Sequence, residues 1–125
     1  MVTEMVVLDT NVIIDFLDGK QSVVEEVSKY ANFEFATTFV NQYELLKYRK
    51  RSHLEDALKN IVIYHSSEAA VIASSNAYKI LKEKGKIISD NDLLVFGVCL
   101  ANNETLLTQD GDFKNLQSDS IIIIK

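Results

Sequence analysis

The chain has 125 residues, 47% of them hydrophobic, and a formal charge of −5. That length and apolar content suit one packed core and exclude two ordinary domains, so a single domain over residues 1–125 is expected. No apolar stretch approaches the roughly 20 residues that cross a bilayer, and no basic region precedes the first apolar run, so neither a membrane span nor a signal peptide is expected and the cytoplasm is the expected location.

In chain order, "MVVL" (5–8) is continuous and β-branched, as in a strand buried on both faces, and "TNVIIDFLDG" after it reads as a capped helical turn ending at Gly19. Ser22 is placed to cap a second helix with Val23, Val27 and Tyr30 on one face, and "FEFATT" (33–38) is a second strand running into Thr37 and Thr38 as cap candidates. From Phe39 to about Arg51 the positions Phe39, Val40, Tyr43 and Leu46 predict one apolar helical face; a short helix over about 54–59 leads into a third strand, "IVIY" (61–64). Ser66 or Ser67 opens a long helix whose stripe Ala70, Ala73, Ala77, Ile80 and Leu81 is expected to face inward, with Lys79, Lys82 and Lys84 outward and Gly85 as its stop. "SDNDLLVFGVCLA" (89–101) is apolar nearly all round after an acidic start, the pattern of a helix buried on several sides. It contains the only cysteine, Cys99, which reads as an inert buried thiol and fits a reducing compartment. "ETLLTQD" (104–110) is a fourth strand, "DGDF" a turn or helical start, and "SIIIIK" a closing strand. Short apolar strands separated by helices, without hairpin turns, predict an α/β fold with a mainly parallel sheet of four to five strands between helices.

In open parallel sheets, ligands bind outside the carboxyl ends of the strands, at the switch point of the topology. Asp9 follows the first strand and Asp110 the fourth, while Glu44 and Asp92 stand on helices that can reach the same edge. Each acid also has an ordinary structural reading. Asp9 and Asn11 fit helix caps, Asp110-Gly111 a turn, and "SDND" (89–92) a Ser-x-x-Asp capping box with Asp90 well placed for the helix dipole. Glu44 fits a solvated pair with Lys47 or Arg51. Glu44 also shares a helical row with Val40 and Tyr48 at the edge of the apolar face, where a carboxylate is desolvated unless a cation meets it. If the four acids do cluster, they raise one another's pKa unless a cation is bound, and oxygen-only ligands point to Mg²⁺ or Mn²⁺. Zinc has no support, because one cysteine and the surface-type His53 and His65 show no ligand spacing. Neither a covalent-nucleophile signature nor a glycine-rich phosphate loop is present.

Four stretches, "VVLDTNVIIDFL", "TTFVNQYELL", "GKIISDNDLLVFGVCLA" and "TLLTQDGDF", resemble in this order the signature blocks of PIN-domain ribonucleases, in particular the compact VapC-type toxins of toxin–antitoxin pairs. The resemblance covers nearly the whole chain and implies a PIN-like three-layer sandwich. It implies Asp9, Glu44, Asp92 and Asp110 as the catalytic and metal-binding acids, with Asp90 as a helper or cap beside Asp92. Thr10, Asn11 and Thr108 match positions that support the carboxylates by hydrogen bonds, and Asp112 is a companion without a defined role. The run "VFG" (95–97) departs from the small residues usual in that helix. The implied activity is a Mg²⁺- or Mn²⁺-dependent endoribonuclease using one or two ions, held most directly by Asp9 and Asp92, with Glu44 and Asp110 completing the acidic pocket. A metal-activated water would cleave RNA to 5′-phosphate and 3′-hydroxyl ends. A VapB-like antitoxin and a homodimer are the implied protein partners, with apolar positions in 12–17 and 22–31 available to either.

The acidic net charge argues against a simple basic nucleic-acid binder, yet eight of the thirteen Lys and Arg fall within 47–51 and 79–86. Lys47, Arg49, Lys50 and Arg51 follow Glu44, and Lys82, Lys84 and Lys86 precede Asp92, so both windows are candidates for holding RNA backbone; a solvated helix face explains them equally. Two alternatives to the toxin reading are a nuclease of RNA processing or directed at DNA, and a catalytically silent RNA- or protein-binding module whose acids are caps and salt bridges. A phosphoryl-accepting receiver-like domain is disfavoured, because no acidic pair lies early in the chain and no well-placed lysine follows the last strand.

Overall fold

The computed structural model describes residues 4–125. Five strands, β1 (Met5–Leu8), β2 (Glu34–Thr38), β3 (Val62–Tyr64), β4 (Thr105–Thr108) and β5 (Ile121–Ile123), form one sheet in the order β3-β2-β1-β4-β5. Every pairing is parallel, with Val7 beside Ala36 and Leu106, and Leu8 beside Leu107. The chain winds outward from β1 through β2 to β3, then returns to the other side of β1 with β4 and β5. The topological switch therefore falls between β1 and β4.

Alternation along the strands sorts their side chains into two cores. Val7, Ala36 and Leu106 point to one face, covered by α5 (Glu68–Glu83), α6 (Asp90–Ala101) and the 3₁₀ helix η1 (Gly111–Leu116) through Ala77, Leu81, Phe96, Cys99 and Phe113. Val6, Leu8 and Leu107 point to the other, covered by α1 (Thr10–Leu17), α2 (Gln21–Ser28), the middle of α3 (Phe39–Tyr48) and α4 (Arg51–Leu58) through Val12, Val23, Val27, Leu45 and Leu54. The result is the expected three-layer α/β/α sandwich. Cys99 is buried and its burial pushes the thiol's pKa up, which makes it inert. No helix among the described residues is long and apolar enough to cross a membrane.

Several boundaries and faces differ from the sequence reading. The second helix starts at Gln21 after Lys20, without a side-chain cap from Ser22. α3 stops at Tyr48 and α4 starts already at Arg51. More consequentially, α3 is rotated: Val40, Asn41 and Leu45 are its buried residues, while Tyr43 and Leu46 lie 59% and 43% exposed. Apolar periodicity could not show this, because the polar Asn41 is drawn inward by hydrogen bonds at the edge of the sheet. On α5 the inward stripe is Ala70, Ser74, Ala77 and Leu81, and Ile80 faces out at 52% exposure.

That α5 stripe is small for a reason located on α6. A Cβ added to Gly97 would lie 2.5 Å from the backbone oxygen of Ala70 and closer still to the Ser74 hydroxyl. The two helices thus cross in near-contact of their backbones, so the residue at the end of the "VFG" run does locally what a small-residue run would do. Ser74 donates its hydroxyl back to the Ala70 carbonyl at 2.8 Å, which satisfies it at the crossing. Gly97→Ala is expected to destabilise the fold by about 1–3 kcal/mol, the usual cost of overpacking. This would show as a lower urea midpoint with an unchanged denaturant slope.

Candidate functional site

The site is built from four chain segments that reach the carboxyl edge of the sheet at the β1/β4 switch point. Asp9 ends β1: its backbone N–H still donates to Leu107 at 2.9 Å, continuing the ladder, and its carboxylate caps α1 by accepting from the Thr10 N–H at 2.9 Å. The cap and the acidic arm are one residue. Asp9 is only 4% exposed, and burial, partly offset by its hydrogen bonds from Thr108, Thr10 and Asn41, raises its pKa; the charge of Glu44 adds to the rise.

A continuous hydrogen-bond network holds these acids. The Thr108 hydroxyl donates to Asp9 Oδ2 at 2.6 Å and accepts from the Asp110 N–H at 3.0 Å, so one side chain at the end of β4 spaces two acids. Asn41 Nδ2 donates to Asp9 Oδ1 at 2.9 Å and to the Thr10 hydroxyl oxygen at 3.0 Å. The Thr10 hydroxyl in turn donates to Glu44 Oε1 at 2.7 Å, and Asn91 Nδ2, from α6, reaches Glu44 Oε2 at 3.4 Å. Asn41 is itself locked: Thr38 and Asn41 form a reciprocal capping box at the start of α3, with the Thr38 N–H and hydroxyl both donating to Asn41 Oδ1.

Asp92 lies in the first turn of α6, whose N-cap is Ser89; the Ser89 hydroxyl oxygen accepts from the Asp92 N–H at 3.2 Å. Asp92 nevertheless has its pKa raised to about 6, first by burial and then by the negative charges of Asp9, Asp110 and Glu44, against the lowering effect of Ser89. The structure therefore brings all four sequence-predicted acids into one electrostatic neighbourhood. Three of them sit at helix N-termini, Asp9 on α1, Asp92 on α6 and Asp110 as N-cap of η1, where the helix dipoles favour negative charge.

The supporting residues divide. Thr10 and Thr108 hold carboxylates directly, whereas Asn11 does not: its side-chain oxygen accepts from the Gln109 N–H at 3.1 Å, fixing the turn between Thr108 and Asp110 instead. Gln109 continues that brace to Asp15 at 2.7 Å and Lys20 at 2.9 Å. Asp90 is exposed on the side of α6 facing α5, beside Ser74, Ser75 and Tyr78, and Ser89 rather than Asp90 is the cap. Asp112 is exposed and gives its N–H to Asp110 Oδ1 at 2.9 Å. Of the basic candidates, Arg49 is paired with Asp18 at 2.8 Å and Lys84 reaches Gln117 at 3.5 Å; Lys82, Lys86 and Arg51 are exposed. No ion pair among the described residues involves Glu44, so the solvated-pair reading of that residue fails. Sequence reasoning missed Asn41, Asn91 and Gln109. The available signal for Asn41 was its place three residues after Thr38, at the head of a helix carrying one of the acids.

The donor set can be tested against a metal. Among the described residues, no three Asp, Glu, His or Cys side chains are gathered as a ready metal cage. Asp9 accepts two hydrogen bonds on Oδ1 and one on Oδ2, which leaves one of a carboxylate's four or so lone-pair positions for a cation. With Asp92 opposed by like charge and all donors oxygen, the residues fit a hard, largely hydrated ion such as Mg²⁺ or Mn²⁺ held by one or two carboxylates.

A parallel α/β sandwich with acids at its switch point is an open class, and comparison narrows it. The sequence matches the PIN domain over residues 6–118, and the chain belongs to that family. Similar solved structures include VapBC-1 from nontypeable Haemophilus influenzae, with a TM-score of 0.80 at 22% identity over 95% of this chain and 97% of that one. VapBC2 from Rickettsia felis, bound to a DNA fragment from its promoter, gives 0.76 at 24% identity over 95% and 96% of the two chains. VapBC-5 from Mycobacterium tuberculosis gives 0.71 at 24% identity over 97% and 98%. No curated protein matches the sequence.

The electrostatics fix an expected pH response. Folding raises the Asp92 pKa from 3.8 to about 6, so the folded chain binds this proton more tightly than the unfolded chain. Without a cation, ionised Asp92 opposes folding above about pH 6, and the penalty is relieved as pH falls from about 6 toward 4; the raised Asp9 acts in the same direction. In chelator, the unfolding temperature is expected to rise by a few degrees between about pH 7.5 and about pH 5.5, and Asp92→Asn is expected to flatten that slope. Asn41→Ala, by contrast, strips a donor from buried Asp9 and both acceptor contacts from Thr38, and should cost about 2 kcal/mol or more in urea unfolding.

Proposed function

We propose that this protein is a divalent-metal-dependent endoribonuclease and acts in the cytoplasm as the toxin of a toxin–antitoxin pair. The observation that carries the nuclease reading is the convergence of Asp9, Glu44 and Asp110 at the sheet's switch point, tied together through Thr10 and Thr108, with Asp92 close enough to feel their charges. Carboxylates gathered in this way gain from a cation, and an acid-bound hydrated cation suits phosphodiester chemistry. Asp9 and Asp92 would hold the ion, with Glu44 and Asp110 around its hydration shell. When bound, Mg²⁺ or Mn²⁺ activates water and neutralises charge on the phosphate oxygens. The chain's own residues aim the carboxylates: Thr108 fixes Asp9 relative to Asp110, Asn41 fixes the other Asp9 oxygen, and Thr10 holds Glu44. Lys47, Lys50, Arg51, Lys82 and Lys86 are available for the RNA backbone.

The toxin role and a VapB-like antitoxin are supported by the resemblance to VapBC complexes in the solved structures; a homodimer is proposed from the family resemblance of the sequence. A small reading frame immediately upstream, encoding a DNA-binding head and a polar tail that co-purifies with this chain and silences it, is the expected companion.

The purified protein is expected to cleave structured RNA in Mg²⁺ or Mn²⁺ and not in chelator, with Asp9→Asn and Asp92→Asn each reducing the rate about 100-fold or more. Equal cleavage by the variants would overturn the assignment of the acids. Independently of activity, added Mn²⁺ should raise the unfolding temperature of the wild type and leave Asp92→Asn nearly unmoved, as expected for an ion that binds only the folded site.

A further inference from the structure

The rotation of α3 leaves two large aromatic side chains in water beside the acids. Tyr43 is 59% and Tyr48 69% exposed, and between them Lys47 places its ammonium 5.3 Å from the first ring centroid and 5.2 Å from the second. Glu44, Lys47 and Tyr48 stand at i, i+3 and i+4, neighbours on one helical surface, so Tyr48 lies one turn, about 6 Å along the axis, from an acid of the site. Lys47 lies over the rings and makes no ion pair with Glu44 among the described residues. No acid occurs from Leu45 to Leu54, and exposed Lys50 and Arg51 follow directly, although the whole chain carries −5. Flat apolar faces alternating with cations are what a nucleotide requires, a surface for its base and a charge for its phosphate.

We propose that Tyr43, Lys47 and Tyr48 form a stacking platform that receives unpaired RNA bases next to the phosphate acted on at the acidic site. The platform rests on the endoribonuclease reading and deepens it, because it names the side chains that receive the bases beside the reacting phosphate. Bases within a duplex have their faces already covered, whereas a loop or single strand can splay a base onto a tyrosine. The ring surface, not the phenol hydroxyl, does the work.

The test uses a hairpin RNA with an unpaired loop that the wild type cleaves in Mn²⁺. Tyr43→Ala and Tyr48→Ala are each expected to raise KM about five- to tenfold with kcat largely retained, while Tyr43→Phe and Tyr48→Phe keep the wild-type KM. An unchanged KM in the alanine variants, an equal loss in the phenylalanine variants, or an equal loss on fully paired RNA would each overturn the platform. Binding of a labelled single strand in chelator separates this from the parent reading. Binding weakened by the alanine substitutions, with no cleavage by the wild type, would sustain the platform and defeat the nuclease assignment. Cleavage with unaltered single-strand binding would do the reverse. Alanine variants that bind RNA normally but no longer bind the upstream partner protein would assign this face to that partner and overturn the platform.

Discussion

The burial of a single carboxylate organises this molecule. Asp9 stands at 4% exposure where β1 ends, and a charge so placed is tolerable only if its oxygens are met by donors. Those donors come from three directions: the α1 backbone through Thr10, β4 through Thr108, and α3 through Asn41. Satisfying one acid therefore fixes the ends of two adjacent strands and the rotation of a helix. Glu44 and Asp110 are then placed through Thr10 and Thr108, residues that already serve Asp9.

The remaining acid follows a different logic. Asp92 arrives on α6, a helix positioned chiefly by apolar packing and by its close crossing with α5 at Gly97. Its charge is opposed by three others and only partly relieved by Ser89. The site thus combines one carboxylate held firmly by neutral donors with another held near its neighbours against repulsion. Preorganisation of this kind keeps carboxylates in place at a cost to the stability of the protein.

Much of this was readable in the sequence. Continuous β-branched runs alternating with helices gave the parallel sheet, and the position of Asp9 and Asp110 after strands put them at its carboxyl edge without further information. The rotation of α3 was not readable, because a count of apolar residues favours Tyr43 and Leu46 as the inner face, while the deciding interaction is polar, Asn41 to Asp9 across 32 residues of sequence. The role of Asn11 was misplaced for a related reason. Its side chain turns to the Gln109 backbone, a partner 98 residues away that no local pattern encodes. Asp9 does cap α1, and because the same carboxylate faces the other acids the cap does not exclude a further role. At Asp92, the serine does cap the helix, but through the Asp92 backbone, leaving the carboxylate under the influence of the other acids.

The Thr108 hydroxyl, shared between Asp9 and Asp110, has an evolutionary consequence. Its proton serves one acid and its oxygen the backbone beneath the other, so the sheet edge and the acidic pocket draw on the same atom. Drift at this edge therefore meets an unequal choice of routes. Substitutions at Thr108 loosen the sheet edge and the pocket together, whereas neutralising Asp92 relieves repulsion and leaves a sturdier scaffold. A neutral residue at the head of α6 is the change that the fold itself would tolerate most easily.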